Sequence, residues 1–402
     1  MNGIKKTTDF FDCIGRKNGI FDLDISNHES EISKIISKSS FLILGGAGTI
    51  GMSVTKEIFQ RKPKKIYVVD ISENNLVELV RDLRSSYGFY DLDFKTFALD
   101  IGSSEYDSFI NSQKSFDYVL NLSALKHVRS EKDRFTLMRL VRTNIFNTEK
   151  TLQQSIDKGT KKYFCVSTDK AANPVNLMGA SKKIMEFFLH QKSHKINISS
   201  ARFANVAFSD GSLLYGFEKR LQNNQPIAAP SDIKRYFVSK KEAGQLCLMS
   251  CIYGNEMDIF FPKLNKKIDL INISDVAKSF VRLKGYEPFQ CKSEKEARLL
   301  MKTLPSKGLW PCFFSKSDTT GEKSFEEFFT ISEEIDNNSF KNIGIVKKSN
   351  DYEKKDLSSF KKSIDEMLIN KNWTKENIIK QFKFLLPSFK HHEKDKFLDD
   401  KM

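Results

Sequence analysis

The stretch SFLILGGAGTIG, residues 40–51, decides the fold. Its apolar start is short and unbroken, the pattern of a strand buried on both faces. The strand runs into Gly45-Gly46-Ala47-Gly48-Thr49-Ile50-Gly51, and helical spacing follows over Ile50–Arg61. A G-x-x-G-x-x-G loop between strand and helix fits a dinucleotide. Gly45 allows the tight turn, Gly48 lets backbone N–H groups approach a pyrophosphate, and Gly51 allows helix to pack closely on strand. Thr49 and Ile50 stand where the helix N-terminus would meet that ligand. The next strand, KKIYVVD (64–70), ends in Asp70. A carboxylate there accepts from a ribose hydroxyl and repels a 2′-phosphate, so NAD is favoured over NADP. The plainer alternative is a glycine-rich turn with a capping aspartate.

Outward from this unit, strands and helices alternate. DFKTFALD (93–100), FDYVLNLS (116–123), KKYFCVST (161–168) and INISSARF (196–203) read as strands. Helical patterns cover 73–86, 106–112, 135–158 and 180–194. The alternation predicts an α/β fold, a doubly wound parallel sheet with a smaller C-terminal substrate-binding lobe. The expected boundaries are an N-terminal arm over 1–38 and the dinucleotide-binding domain over 39–204, with strands returning from about 234–285. Residues 205–402 then form mostly the lobe and a Lys-rich helical extension. Six prolines between 226 and 311 mark where the pattern loosens, and 287–315 reads as an insertion.

The 402 residues suit two domains, and 40% hydrophobic residues exclude wholesale disorder. Lys and Arg number 65 against 51 Asp and Glu, a net charge of +14 that suits an anionic partner. The Lys-rich tail lacks the basic stripe with interleaved aromatics of a nucleic-acid-binding surface. Six cysteines without a C-x-x-C pair suggest neither a disulfide framework nor a metal site; Cys247 and Cys251 read as core thiols of one helix. No apolar leader or run of 18 apolar residues stands out, so the expectation is a soluble, cytoplasmic protein without a membrane span.

Ligands in such sheets bind beyond the carboxyl ends of the strands. Asp100-Ile101 ends the third strand and Ser123-Ala124 the fourth; they are candidates to line the cofactor. Asp100 is equally well explained as a cap. The fifth strand ends in Ser167-Thr168-Asp169-Lys170, and Met178-Gly179-Ala180-Ser181-Lys182 follows. An acid and an amine side by side at a strand end provide an acid–base pair. Capping of the following turn is the structural alternative.

GGAGTIG, STDKAANPVN, MGASK, RFANVAFSDGSL and TGEKSFEEFF (320–329) together resemble the extended short-chain dehydrogenase/reductase superfamily. Within it they are similar to the nucleotide-sugar 4,6-dehydratases of the polysaccharide-biosynthesis group, over roughly residues 40–330. The resemblance implies NAD as cofactor and UDP-N-acetylglucosamine as substrate. It implies oxidation at C4, loss of water across C5 and C6, and reduction at C6. Lys170 is expected to be the C5 base, its pKa lowered by burial beside Lys182 and the cofactor, and Asp169 the acid at the C6 oxygen. Thr168 is expected at the C4 oxygen and Lys182 at the nicotinamide ribose. Met178 stands where relatives carry Tyr, and the Met form resembles the branch that retains configuration at C5. Met178 has no proton to give, so Asp169, or a water relay through Thr168, must serve the C4 hydroxyl. By resemblance Lys126, His127, Asn205 and Arg235 are expected near the sugar or its diphosphate; a surface guanidinium is the plainer alternative for Arg235, and a core position is equally open for His127. A homo-oligomer, at least a dimer paired through 135–158 and 180–194, is expected on the same ground. A UDP-sugar 4-epimerase and a non-catalytic NAD-binding protein are the competing readings.

Overall fold

The computed structural model describes residues 10–14, 16–266, 269–318, 323, 325–349 and 355–391. In chain order, α1 (Phe10–Ile14) and α2 (Asp22–Ser37) precede β1 (Ser40–Leu44), α3 (Thr49–Phe59), β2 (Lys65–Asp70), α4 (Glu73–Tyr87), β3 (Asp93–Ala98), α5 (Ser104–Ser112) and β4 (Tyr118–Asn121). Then come α6 (Arg134–Val141), a π-helical turn (Arg142–Phe146), α7 (Asn147–Asp157), β5 (Lys162–Val166), α8 (Leu177–Lys192) and β6 (Asn197–Ala201). Side-chain oxygens of Ser72, Ser103, Asp133 and Asn176 accept from first-turn N–H groups of α4, α5, α6 and α8. Each such cap contributes about 1 kcal/mol, so these four helices start where the sequence has a capping residue.

The expected arm is a helix packed on the body. Phe21, Ile25, Ile32 and Ile36 are buried in the same core as Phe41 and Ile43 of β1. Asp24 accepts from the backbone N–H groups of Lys341 and Asn342 at 2.7 and 2.8 Å, tying this helix to the far end of the chain.

The later chain continues with β7 (Asn205–Val206), α9 (Leu213–Gln222), β8 (Ile227–Pro230), β9 (Lys234–Arg235), β10 (Phe237–Val238), α10 (Lys240–Tyr253) and β11 (Asp258–Pro262). After these come β12 (Ile271–Asn272), α11 (Ile273–Leu283), β13 (Glu287–Cys291), α12 (Glu294–Leu300) and β14 (Leu309–Ser315). The last elements are β15 (Glu333–Asp336), β16 (Ile343–Ser349), α13 (Leu357–Ile369) and α14 (Lys375–Leu385).

One nine-stranded sheet has the order β15-β16-β11-β6-β5-β4-β1-β2-β3. From β11 to β3 all neighbours are parallel. β16 then pairs antiparallel with β11, and β15 with β16. β11 falls in the span 234–285 where strands are expected to return to the sheet, and β15 and β16 extend the sheet beyond that span. β11 is buried at every residue, and Ile343, Ile345 and Val346 of β16 join the main core, because these runs are apolar enough to extend the sheet. The lobe is the smaller unit of α9, β8, α11, β13, α12 and β14. Its three parallel strands, β13-β14-β8, and its core of Phe217, Phe280 and Trp310 include the apparent insertion 287–315.

Helices α13 and α14 do not pack on the lobe. Phe360, Ile364, Ile378 and Phe382 share a core with Leu137 and Val141 of α6 and Ile184 and Phe188 of α8. The helices expected to pair subunits thus carry the chain's own C-terminal helices on a shared apolar face. Residues 350–354 of the Lys-rich stretch lie outside the described residues.

Candidate active site

The loop after β1 is shaped by its glycines. Gly45 sits at φ 70°, and a Cβ there would lie 2.7 Å from the Ser123 backbone nitrogen. A Cβ on Gly51 would lie 2.2 Å from the Gly45 carbonyl oxygen, so the helix approaches the loop only without a side chain. At Gly48 the nearest atom to such a Cβ is the Gly45 oxygen, 3.6 Å away. The cradle is thus open at Gly48, and no side chain caps the N-terminus of α3. That leaves the first-turn N–H groups of Thr49 and Ile50 to an anion. Asp210, which sequence reading did not single out, reaches this rim: Thr49 Oγ1 donates to its carboxylate at 3.1 Å.

Asp70 has a structural role that its strand-end position does not announce. It is buried, and its two oxygens accept from the N–H groups of Ala47 and Ser72, both at 2.9 Å. It fixes the glycine loop against the start of α4. Asp100 accepts from the Gly102 N–H at 2.8 Å and so holds the turn, while Ser103 caps α5; Ile101 is buried beside Asp100. Ser123 donates its N–H to Asn121 Oδ1 at 3.1 Å, and Ala124 follows it on the same loop.

The expected helix 135–158 is continuous except at its π-helical turn. Asn144 within that turn accepts from the Leu125 N–H at 2.9 Å and donates to the Leu125 carbonyl and to Ser181 Oγ, both at 3.0 Å. This one buried amide holds the β4 loop against α8. Nothing in the spacing marked it; an asparagine in a helical run is the only signal, and π-helical turns commonly stand at such sites.

At the end of β5, Thr168 Oγ1 donates to Asp169 Oδ1 at 2.8 Å, and the Lys170 ammonium reaches the same oxygen at 3.2 Å. Glu326, from the segment after the lobe, places Oε1 3.9 Å from that ammonium. Among the described residues, Asp169 Oδ2 and Glu326 Oε2 are both buried without a hydrogen-bond partner. Burial alone would push Lys170 down, but Asp169 and Glu326 outweigh it and hold the amine above the ordinary lysine value. The expected lowering of Lys170 is therefore corrected: in the resting site it is an ammonium. Asp169, Glu326 and Arg235 are the leading charges acting on it. The Lys182 ammonium donates to the Val166 carbonyl at 3.0 Å, buried beneath the strand end, and burial pushes its own pKa down.

Met178 opens the second residue of α8 and is buried. Its N–H donates to Glu131 at 2.9 Å, and the other Glu131 oxygen lies 3.2 Å from His391 Nε2. Lys126 and His127 face the segment after β7: Lys126 donates to Ser209 Oγ at 3.4 Å, and the His127 ring abuts Gly211. Desolvation and the cations Lys126 and Arg129 lower the His127 pKa. Asn205 starts this segment and donates to the Tyr236 carbonyl. Arg235 is buried, not a surface guanidinium, and donates to the carbonyls of Lys234 and Lys323 at 2.8 and 2.9 Å. Its charge acts on both Lys170 and Glu326. Of TGEKSFEEFF, residues 320–322 and 324 lie outside the described residues.

What carries Glu326 to this place is buried. Arg202, fully enclosed, bonds Glu186 and Glu333 at 2.8 Å each and the Phe328 carbonyl at 2.9 Å. Glu186 also accepts from Ser167 at 2.7 Å. One guanidinium thus joins the end of β5, helix α8 and the segment 328–333.

A glycine-cradled helix N-terminus, an acid at the end of β2 and a Thr-Asp-Lys group after β5 define an extended short-chain dehydrogenase/reductase. The family model described as polysaccharide biosynthesis protein matches residues 41–348, and the chain belongs to that family. An uncharacterized membrane protein of Methanocaldococcus jannaschii is 28% identical over 84% of this chain and 98% of its own length. A UDP-N-acetylglucosamine 4,6-dehydratase (inverting) of Campylobacter jejuni is 24% identical, over 75% of this chain and 85% of that protein. A UDP-glucose 4-epimerase of Rickettsia bellii is 29% identical over 56% and 66%. Among solved structures, Pen from Bacillus thuringiensis superposes with a TM-score of 0.63 at 24% identity, covering 78% of this chain and 89% of that one. Among the described residues no helix is long and apolar enough to cross a membrane.

Proposed function

We propose that the protein dehydrates UDP-N-acetylglucosamine to a UDP-4-keto-6-deoxy-N-acetylhexosamine with NAD as a resident cofactor. The observation that carries this is the Thr168-Asp169-Lys170 group, hydrogen-bonded into one unit at the end of β5. A 4-epimerase needs a base at C4 and nothing at C5 or C6. The kinship with the Campylobacter dehydratase supports the same reading.

The open cradle at Gly48, the uncapped α3 N-terminus and Asp70 fit a dinucleotide. Gly45, Gly48, Thr49, Ile50 and Gly51 would hold its pyrophosphate, Asp70 a ribose, and Asp100, Ile101, Ser123 and Ala124 its flanks. When bound, NAD supplies reversible two-electron oxidation of an alcohol carbon. The residues of the chain then manage protons. Thr168 bridges the C4 hydroxyl to Asp169, which takes that proton as a carboxylate. Lys170, as a neutral amine, takes the C5 proton while Asp169 returns its own to the departing C6 hydroxyl, which leaves as water. Lys170 then gives a proton back to C5, and both side chains end as they began. Lys126, His127, Asn205 and Arg235 would receive the sugar and its diphosphate. Met178 acts by shape, since a thioether has no proton to exchange.

Incubation of purified protein with UDP-N-acetylglucosamine and no added cofactor should yield a product lighter by one water in the mass spectrum. Recovery of UDP-N-acetylgalactosamine without dehydration would replace this reading with the epimerase.

Asp70→Ala should weaken NAD binding by about tenfold or more, the scale of a lost charge-assisted hydrogen bond. It should also narrow the preference over NADP, because the repelling carboxylate is gone. Titration of the cofactor-stripped protein with each dinucleotide reads both effects. Equal affinity of the wild type for NAD and NADP would refute the assignment.

A further inference from the structure

The site contains one acidic group more than the proton transfers above use, and it contains one proton too many without it. Asp169 must start ionised to accept the C4 proton, and Lys170 must start neutral to accept the C5 proton. At rest Lys170 is an ammonium. If its proton moved to Asp169, the C4 proton would have no acceptor. A third group has to hold it.

Among the described residues, the one carboxylate besides Asp169 that pairs with Lys170 is Glu326, at 3.9 Å. Only 4% of its side chain is exposed, and Oε2 has no hydrogen-bond partner among the described residues. A buried carboxylate oxygen in that state is costly to keep charged. Lys323, 3.9 Å away, is beyond hydrogen-bond reach. Burial, with Asp169 adding, pushes the Glu326 carboxyl above its ordinary value against the pull of Lys170, Arg235 and Lys323. A bound sugar would replace the remaining water, and a drier site favours a neutral acid and amine over the ion pair.

We propose that Glu326 is the proton store of this site: it takes the ammonium proton of Lys170 when substrate excludes water. That leaves a neutral amine toward C5 and an ionised Asp169 toward C4. The Lys170 N–H bond breaks, a Glu326 O–H bond forms, and the proton returns when product leaves. Glu326 touches no reacting atom and acts through Lys170. The assignment rests on the dehydratase reading.

The test is Glu326→Gln, nearly the same shape but unable to take the proton. Reduction of the bound cofactor on mixing with UDP-N-acetylglucosamine should persist, because Thr168 and Asp169 are intact. Deuterium entry at C5 from solvent should fall by about 10²-fold at neutral pH, the scale of a positioned acid or base. It should then recover by about tenfold per pH unit toward alkaline pH, since Lys170 must now lose its proton to solvent. Independently of turnover, infrared titration of cofactor-free protein labelled with ¹³C-glutamate should show one carboxyl protonating above the ordinary glutamate range, absent in Glu326→Gln. Wild-type C5 exchange in the variant at neutral pH, or a loss uniform across pH, overturns the proposal. So does absence of that carboxyl from the wild type, a result available even if the variant fails to fold. A wild type that neither reduces its cofactor nor exchanges C5 would instead defeat the dehydratase reading.

Discussion

Lys170→Ala and Asp169→Asn should each lower turnover by about 10²–10⁴-fold, with substrate affinity little changed. The geometry makes the two losses different in kind. Asp169 Oδ1 receives both the Thr168 hydroxyl, at 2.8 Å, and the Lys170 ammonium, at 3.2 Å. Asp169→Asn removes the acceptor for the C4 proton, so cofactor reduction and every later step should slow together. Lys170→Ala leaves Thr168 and Asp169 in place, so C4 oxidation should survive while C5 exchange stops. Stopped-flow absorbance of the reduced cofactor separates the two cases. Wild-type C5 exchange in Lys170→Ala would show that another group is the base. Both proteins should keep the wild-type fold, because the turn is also held by the Asp169 and Ala171 backbone N–H bonds to Phe203 and Thr168 carbonyls.

The largest loss of stability should come from Arg202→Ala. Arg202 is fully buried between Glu186 and Glu333 and also donates to the Phe328 carbonyl. Removing it leaves the two enclosed carboxylates to the Lys183 ammonium, 3.9 and 3.7 Å away, in place of two bidentate pairs, which costs about 3–5 kcal/mol. Lys is a poor substitute, since one ammonium cannot reproduce two bidentate pairs. Burial alone would push Glu333 up, but Arg202, Lys183 and the Thr330 N–H outweigh it and hold it below its ordinary 4.5. A depressed folded-state pKa contributes stability that is present above the unfolded value and lost as pH falls through the folded one. Wild-type stability should therefore drop below about pH 4.5, the ordinary glutamate value, and Arg202→Ala should flatten the part of that drop due to Glu333. Urea denaturation across pH measures both. A variant within about 1 kcal/mol of wild type would mean that the network relaxes at little cost.

The part of the fold built from local signals was legible in the sequence. β1, β2, β4 and β5 announce themselves as short, mostly apolar runs, and the helices between them as apolar spacing. What could not be read was where distant segments return. β16 crosses from residue 343 to pair antiparallel with β11, and α13 and α14 cover α6 and α8; neither pairing has a local signature. The site divides the same way. Asp70 ends a strand and Asp169 and Lys170 follow one, so position alone makes them candidates. Glu326 and Arg202 act through tertiary contact: a glutamate in a charged segment and an arginine after a strand look ordinary until the chain folds. The direction of the Lys170 shift was misjudged for that reason, since its second carboxylate arrives from 156 positions away.

The most direct test of the central claim follows two labels through one turnover. UDP-N-acetylglucosamine deuterated at C4 is incubated in ordinary water, the unlabelled substrate is incubated in deuterated water, and both products are examined by proton NMR. The account predicts that the C4 label appears at C6, that solvent deuterium appears at C5, and that one water is lost. A product that keeps its C6 hydroxyl, or a C4 label that returns to C4, would contradict it.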